Sequence, residues 1–231
     1  MNFNMSVSTS FSNAAEYPPR HYPTANAKIA DLIVHVIGLT LAVAGGGLML
    51  GLAIAKGGGS LIASICIYAV GMITMLSAST AYNFAPAHKR PFRNKYDHAG
   101  IFLMIGASYT PFTVESLSGA WSWTMTSVVW GIVGVCVLAR LFEIQLPQKL
   151  WTLMYIALGW IIVVALVPMM GAVHWVPLLL LFLGGLVYTF GVIFYMNDSL
   201  TYSTAIWHGH VVAAAGLHWT AILLGVVIFP S

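Results

Sequence analysis

The chain has 231 residues, of which 59% are hydrophobic and only 6% charged, with a mean hydropathy of +0.88. Soluble domains carry about 25% charged residues, so a water-soluble fold is excluded and a polytopic membrane protein is indicated. The net charge of +3 arises from a few lysines and arginines at segment edges and gives no ground for nucleic-acid binding.

In chain order, residues 1–27 are rich in Ser, Asn, Tyr and Pro, lack the charged and apolar regions of a cleavable signal peptide, and read as a mobile tail. Residues 28–231 then form one transmembrane domain. A helix needs about 17–25 apolar residues to cross a bilayer, and seven such stretches follow: 29–55, 60–83, 98–115, 121–139, 150–168, 174–195 and 204–229. The fold class is therefore all-α, a seven-helix transmembrane bundle. Gly57-Gly58-Gly59, Ser116 to Ala120, Pro147 and Pro168 to Gly171 punctuate it. Gly47 with Gly51, Gly131 with Gly134, and Gly184-Gly185 offer close helix approaches, and Pro111 should kink the third span. Cys66 and Cys136 lie in apolar segments and indicate neither a disulfide framework nor a metal motif.

Short loops rich in lysine and arginine stay in the cytoplasm. With the N-terminus inside, Arg20, Lys28, Lys89, Arg90, Arg93, Lys95, Arg140 and Lys149 are all cytoplasmic and Lys56 alone is outside, which places the C-terminus outside. Trp121, Trp123 and Trp175 at external ends, and Trp151 and Trp207 at internal ends, would form aromatic belts.

Polar residues inside a bilayer are costly and gather where function or capping needs them. Asp31 and His35, Ser79 and Asn83, Asp97 and His98, and Thr204 and His208 all fall in the cytoplasmic third of this topology, and three of these pairs are spaced i, i+4 on one helix face. Polarity at one depth favours a pocket over a water-filled pore, which needs polar lining throughout. Structural alternatives stand beside this reading: Asp97 as the N-cap of the third helix with His98 reaching to the interface, His208 as a hydrogen-bond partner of Asn83 or Thr204, and Asp31-His35 as an ordinary intrahelical pair. His218 lies deeper, His210 faces away from His208, and His21, His88 and His174 carry no specific signal.

Three ordered motifs carry a resemblance. Ser79-Thr80-Ala81-Tyr82-Asn83 before a short basic loop, Asp97-His98-Ala99-Gly100-Ile101-Phe102 followed by Tyr109-Thr110-Pro111-Phe112, and Ala205-Ile206-Trp207-His208 with Leu217-His218-Trp219 resemble the hemolysin III branch of the progestin and adipoQ receptor family. The resemblance covers Ile29 to Phe229 and implies a bacterial inner-membrane protein related to zinc hydrolases. It also implies a zinc ion held by three imidazoles, one from a helix 2 Ser-x-x-x-His and two from a helix 7 His-x-x-x-His, with Ser79 and Asp97 beside it as catalytic groups. Asn83 and Thr204 occupy two of those three histidine positions, leaving His208 as the retained metal position. An amide oxygen and a threonine hydroxyl are not usual zinc ligands, so the family zinc site is expected to be degenerate, with a site rearranged around His208, Asp97 and His35 or His98 as the alternative. Three functions follow: a cytoplasm-facing pocket of Asp31, His35, Asn83, His98 and Thr204 that binds or senses membrane lipid; an active metal-dependent lipid amide hydrolase; and, from the family's name, a cytolytic pore.

Overall fold

The computed structural model describes residues 21–197 and 199–229, and all regular structure among them is helical. The order is α1 (Ala25–Lys56), α2 (Gly59–Asn83), α3 (Arg90–Glu115), α4 (Gly119–Leu141), α5 (Gln148–Gly159), α6 (Leu166–Ala172), α7 (Trp175–Tyr195) and α8 (Ser203–Ile222), with a π-helical extension over Leu223–Ile228. Six stretches are long and apolar enough to cross a membrane, α5 and α6 acting together as one of them. The remaining long helix, α3, opens on a basic first two turns and is packed between α2 and α4.

α1 starts where Thr24 caps it: its Oγ1 accepts the Ala27 N–H at 3.1 Å, satisfying a donor that the first helical turn leaves free. It ends at Gly57, whose φ of +83° lets the chain turn at no side-chain cost. The expected tail ran to residue 27; residues 21–27 instead lead directly into α1 and touch the bundle, while residues 1–20 lie outside the described residues.

Helices meet as α4–α3–α2–α1–α8–α7 around the bundle, with α5 touching both α3 and α7 to close the ring. Tyr68, Phe102, Phe112, Trp151 and Ile222 fill the interior, while Ile29, Ile33, Val36, Val164 and Val167 are among many large apolar side chains on the outside. An outer surface of this kind is stable only against lipid. Lipid contact and a multi-pass membrane location follow.

Cross-links between helix ends reveal alternating directions. His21 to Asn83, Lys95 to Glu143 and Gln148 to Tyr195 join one end. Ser60 to Glu115 and Lys56 to the Val227 carbonyl join the other.

Several expectations are corrected at this level. Gly47, Gly51, Gly131 and Gly134 meet no neighbour, so neither pair mediates packing; Gly184, by contrast, lies directly against the His218 imidazole and Gly185 against Trp160. Trp151 is not in an interfacial belt but 1% exposed, beneath the Arg140 guanidinium. Pro168 does not end its span. It sits inside α6, where its missing N–H and its ring disrupt the preceding turn, and Ile161–Ala165 becomes a 3-10 stretch. The Tyr109 hydroxyl bridges that break by sharing its one proton between the Leu158 and Gly159 carbonyls, at 3.0 and 2.8 Å, and accepting the Ile162 N–H at 2.9 Å. Near Pro111, the Thr110 hydroxyl donates to the Gly106 carbonyl at 2.9 Å.

Candidate metal centre

α3 begins at Arg90, so Asp97 is two turns inside the helix and does not cap it. The basic residues that precede it satisfy the end of α2 instead: Arg93 donates to the Ala81 carbonyl at 2.7 Å and Arg90 to Ala85 at 3.2 Å. Asp97 and His98 are thereby turned toward a cavity of about 390 Å³ that is also lined by His35, Ser79, Asn83, Thr204 and His208.

Asp31, His35 and His208 form the centre of this region, each offering a ligand atom within 4.8 Å of the others. Asp31 is fully buried, yet both its oxygens are satisfied. Oδ1 accepts from His208 Nδ1 at 2.6 Å, and Oδ2 accepts from the Tyr22 hydroxyl at 2.5 Å. His35 Nδ1 lies 2.9 Å from the Asp31 backbone carbonyl. A carbonyl and a carboxylate only accept, so in each imidazole Nδ1 carries a proton, and in the neutral form of the ring the lone pair is on Nε2.

Both lone pairs point to one place. His35 Nε2 is 3.3 Å and His208 Nε2 3.4 Å from the Ser79 hydroxyl oxygen, and the two rings meet edge to face at 4.4 Å. Asn83 Nδ2 also donates to that oxygen, at 3.2 Å. Ser79 has one proton and can donate to only one of its neighbours at a time. Two imidazoles whose Nε2 atoms are aimed at one point, each with its far nitrogen held by an acceptor, match in their neutral form part of the donor set of a histidine-bound cation.

The remaining predicted residues are distributed around this focus. Asp97 lines the same cavity, with its carboxyl beside the Ser79 hydroxyl. His98 does not join the cluster: it is buried, tied to Asn94 at 3.0 Å and facing the Tyr195 hydroxyl at 3.5 Å. Thr204 lines the cavity, whereas His208 bonds to neither Thr204 nor Asn83 but to Asp31 and Ser79. His210 turns away to the Ile206 carbonyl and Phe194, and deep His218 pairs with the Leu181 carbonyl at 3.2 Å.

Two participants went unread. His21 donates from Nε2 to Asn83 Oδ1 at 2.8 Å, and Tyr22 stacks on Phe84 while it holds Asp31. Burial lowers the His21 imidazole below its ordinary value, which keeps it neutral; burial, with the Asp31 carboxylate beside it, raises the Tyr22 phenol and keeps it a donor. The signal that could have found them is Thr24, since a capping residue there starts α1 four residues earlier than hydropathy alone and brings its flank to the site.

A sequence model of the family described as Haemolysin-III related matches residues 24–219. The chain belongs to this family. It is similar to the hemolysin-3 homolog of Bacillus subtilis (strain 168), 27% identical over 208 residues that cover 90% of this chain and 98% of the relative. It is also similar to hemolysin-3 of Bacillus cereus, 29% identical over 202 residues, 87% and 92% of the two chains. At lower identity, 23% over 210 residues and 88% and 86% of the two chains, it resembles the monocyte to macrophage differentiation factor of Homo sapiens. As a haemolysin-III-related protein it is a multi-pass membrane protein, and its bacterial relatives accord with an inner-membrane location. Its Asp31, His35 and His208 lie close enough together to be a possible metal-binding group.

Proposed function

We propose that this haemolysin-III-related protein is a metal-dependent hydrolase of a membrane lipid, with a zinc site rebuilt between α1 and α8. The observation that carries the reading is the convergence of His35 Nε2 and His208 Nε2 on the Ser79 hydroxyl, at 3.3 and 3.4 Å, with both Nδ1 protons already committed. His35 takes the place of one of the two imidazoles that Asn83 and Thr204 do not supply. A zinc ion held there by His35 and His208 would supply a Lewis acid and an acidified water.

Within this reading His35 and His208 are ligands, with Ser79 beside them. Asp31 is a positioning residue that fixes the His208 tautomer and raises its basicity. Asp97, beside Ser79, accepts a proton from water in the cavity and returns it to the leaving group. An apolar cavity adjoins the polar one, sharing Met75, Ile101, Tyr195 and Trp207, and suits the hydrocarbon part of a substrate whose amide or ester lies near Ser79. α3 is the seventh membrane span in this reading, the N-terminus is cytoplasmic, and the pocket opens toward the cytoplasm.

Metal analysis of the purified protein tests the proposal. About one zinc equivalent is expected, lost in His35→Ala and in His208→Ala. Asp31→Asn should retain the site with affinity lowered about 10–100-fold. Asp97→Asn should keep the metal and lose cleavage of an N-acyl lipid amide. Wild-type protein that neither contains zinc nor takes it up overturns the reading and leaves a metal-free lipid-binding pocket.

A further inference from the structure

A second polar cavity lies at the same end of the bundle, outside the candidate metal centre. It measures about 490 Å³ and is walled by the start of α3 and the end of α4, with Arg90, Asn94, Lys95, Arg140, Glu143 and Gln145 as its polar residues. His21, Tyr82 and Asn94 separate it from the first cavity.

Its charges do not balance. Glu143 pairs with Lys95 at 3.1 Å, and among the described residues neither Arg90 nor Arg140, which line the same space, makes an ion pair. Arg90 uses only Nε, on the Ala85 carbonyl, so its terminal nitrogens remain for a ligand. Arg140 is fixed more firmly: its guanidinium lies 3.9 Å from the Trp151 ring centroid and donates through one terminal nitrogen to Tyr155 at 3.2 Å. Its Nε is buried with no acceptor, alone in this respect among the described residues. A buried guanidinium donor without an acceptor is costly, and a site that keeps one beside a second arginine is short of an anion.

We propose that this cavity binds a phosphate group, held between Arg90 and Arg140. Paired guanidinium forks match the oxygens of a phosphate, and basic pockets between helices at a membrane face take such groups from lipid headgroups. The site is independent of zinc binding.

Titration calorimetry on full-length protein in an uncharged detergent, with EDTA present so that no metal can hold the ligand, tests it with two probes: inorganic phosphate and dihexanoyl phosphatidylglycerol. Saturable one-to-one binding is expected. Arg90→Gln and Arg140→Gln should each weaken it by about tenfold or more, the equivalent of one charge-assisted hydrogen bond. Glu143→Gln should tighten it, and Lys149→Gln, an exposed charge away from the cavity, should leave it unchanged. If inorganic phosphate binds, the group alone suffices; if only the lipid binds, with the same dependence on both arginines, the ligand is a phospholipid headgroup. Should Arg140→Gln fail to fold, Arg90→Gln and Glu143→Gln decide between the same outcomes. Saturable binding of neither probe, or binding to which the two arginines matter no more than Lys149, overturns the proposal.

Discussion

At the scale of single residues, Asp31 is the group on which the candidate centre depends, because a buried carboxylate is tolerable only when its oxygens are satisfied. Tyr22 and His208 supply that satisfaction. Tyr22→Phe keeps the ring stacked on Phe84 but removes the donor at 2.5 Å, and should destabilise the protein by about 1.5–3 kcal/mol, the range for hydrogen bonds to charged groups. A lowered melting temperature in detergent, restored by added zinc only if the metal site survives, is the measurement; an unchanged melting temperature would show that Tyr22 does not hold Asp31. This dependence was only partly legible in the sequence. The Asp31-His35 spacing marked a helix face, and His208, Ser79 and Asn83 were picked out by motif, so most of the cluster was named in advance. Which carboxylate met which imidazole was not, because the i, i+4 pair explains itself locally and Asp97 stood where the family resemblance placed an acid. His21 and Tyr22 were hidden for a different reason: they belong to no periodic segment, and their role exists only because α1 begins beside α2.

At the scale of elements, the long helices are easily read from hydropathy, but their interruptions are not. The turn at Gly57 and Gly58 and the start of α5 after Pro147 fall where glycine and proline indicated. Pro168 misled, since a proline near the end of an apolar run is as compatible with a helix stop as with a strained continuation, and only Tyr109 decides between them. Its hydroxyl serves three backbone groups at the 3-10 stretch, inside a bundle where no water replaces them. Tyr109→Phe should therefore cost about 1–3 kcal/mol for each group left without a partner. Amide hydrogen exchange of residues 158–165 should rise in this variant while that of α2 is unaffected. Equal protection in both proteins would mean that the 3-10 stretch is maintained by packing alone. The glycine pairs teach the same lesson: a small-residue spacing allows close approach but does not select it, and only Gly184 and Gly185 found partners.

At the scale of the whole molecule, the decisive fact is that the first and last helices are neighbours. α1 packs on both α2 and α8, which brings His35 to His208 across 173 residues of sequence; no local pattern carries that information. It also constrains topology. Among the described residues, Lys28, Lys89, Arg90, Arg93, Lys95, Arg140 and Lys149 belong to the end where His21 meets Asn83, and Lys56 to the end where it bonds the Val227 carbonyl. Arg20, which also counts toward the cytoplasmic set, lies outside the described residues. Because α3 has only moderate hydropathy, whether it crosses the bilayer fixes the parity of the spans and hence the side of the C-terminus. α3 is 26 residues long, about 39 Å at 1.5 Å per residue, enough to traverse the hydrocarbon, and its end contacts match a crossing: Lys95 with Glu143 at one end, Glu115 with Ser60 at the other. A reporter fused after Ser231 should accordingly be periplasmic, and a cysteine placed at Lys95 should resist a membrane-impermeant thiol reagent in intact cells while one at Ser60 reacts. A periplasmic C-terminus with that labelling pattern requires an odd number of spans with the basic end inside. A cytoplasmic reporter with Ser60 still labelled from outside would mean an even number, with α3 the helix that fails to cross; a cytoplasmic reporter with Lys95 labelled instead would mean that the whole bundle is inverted and the pocket opens outward.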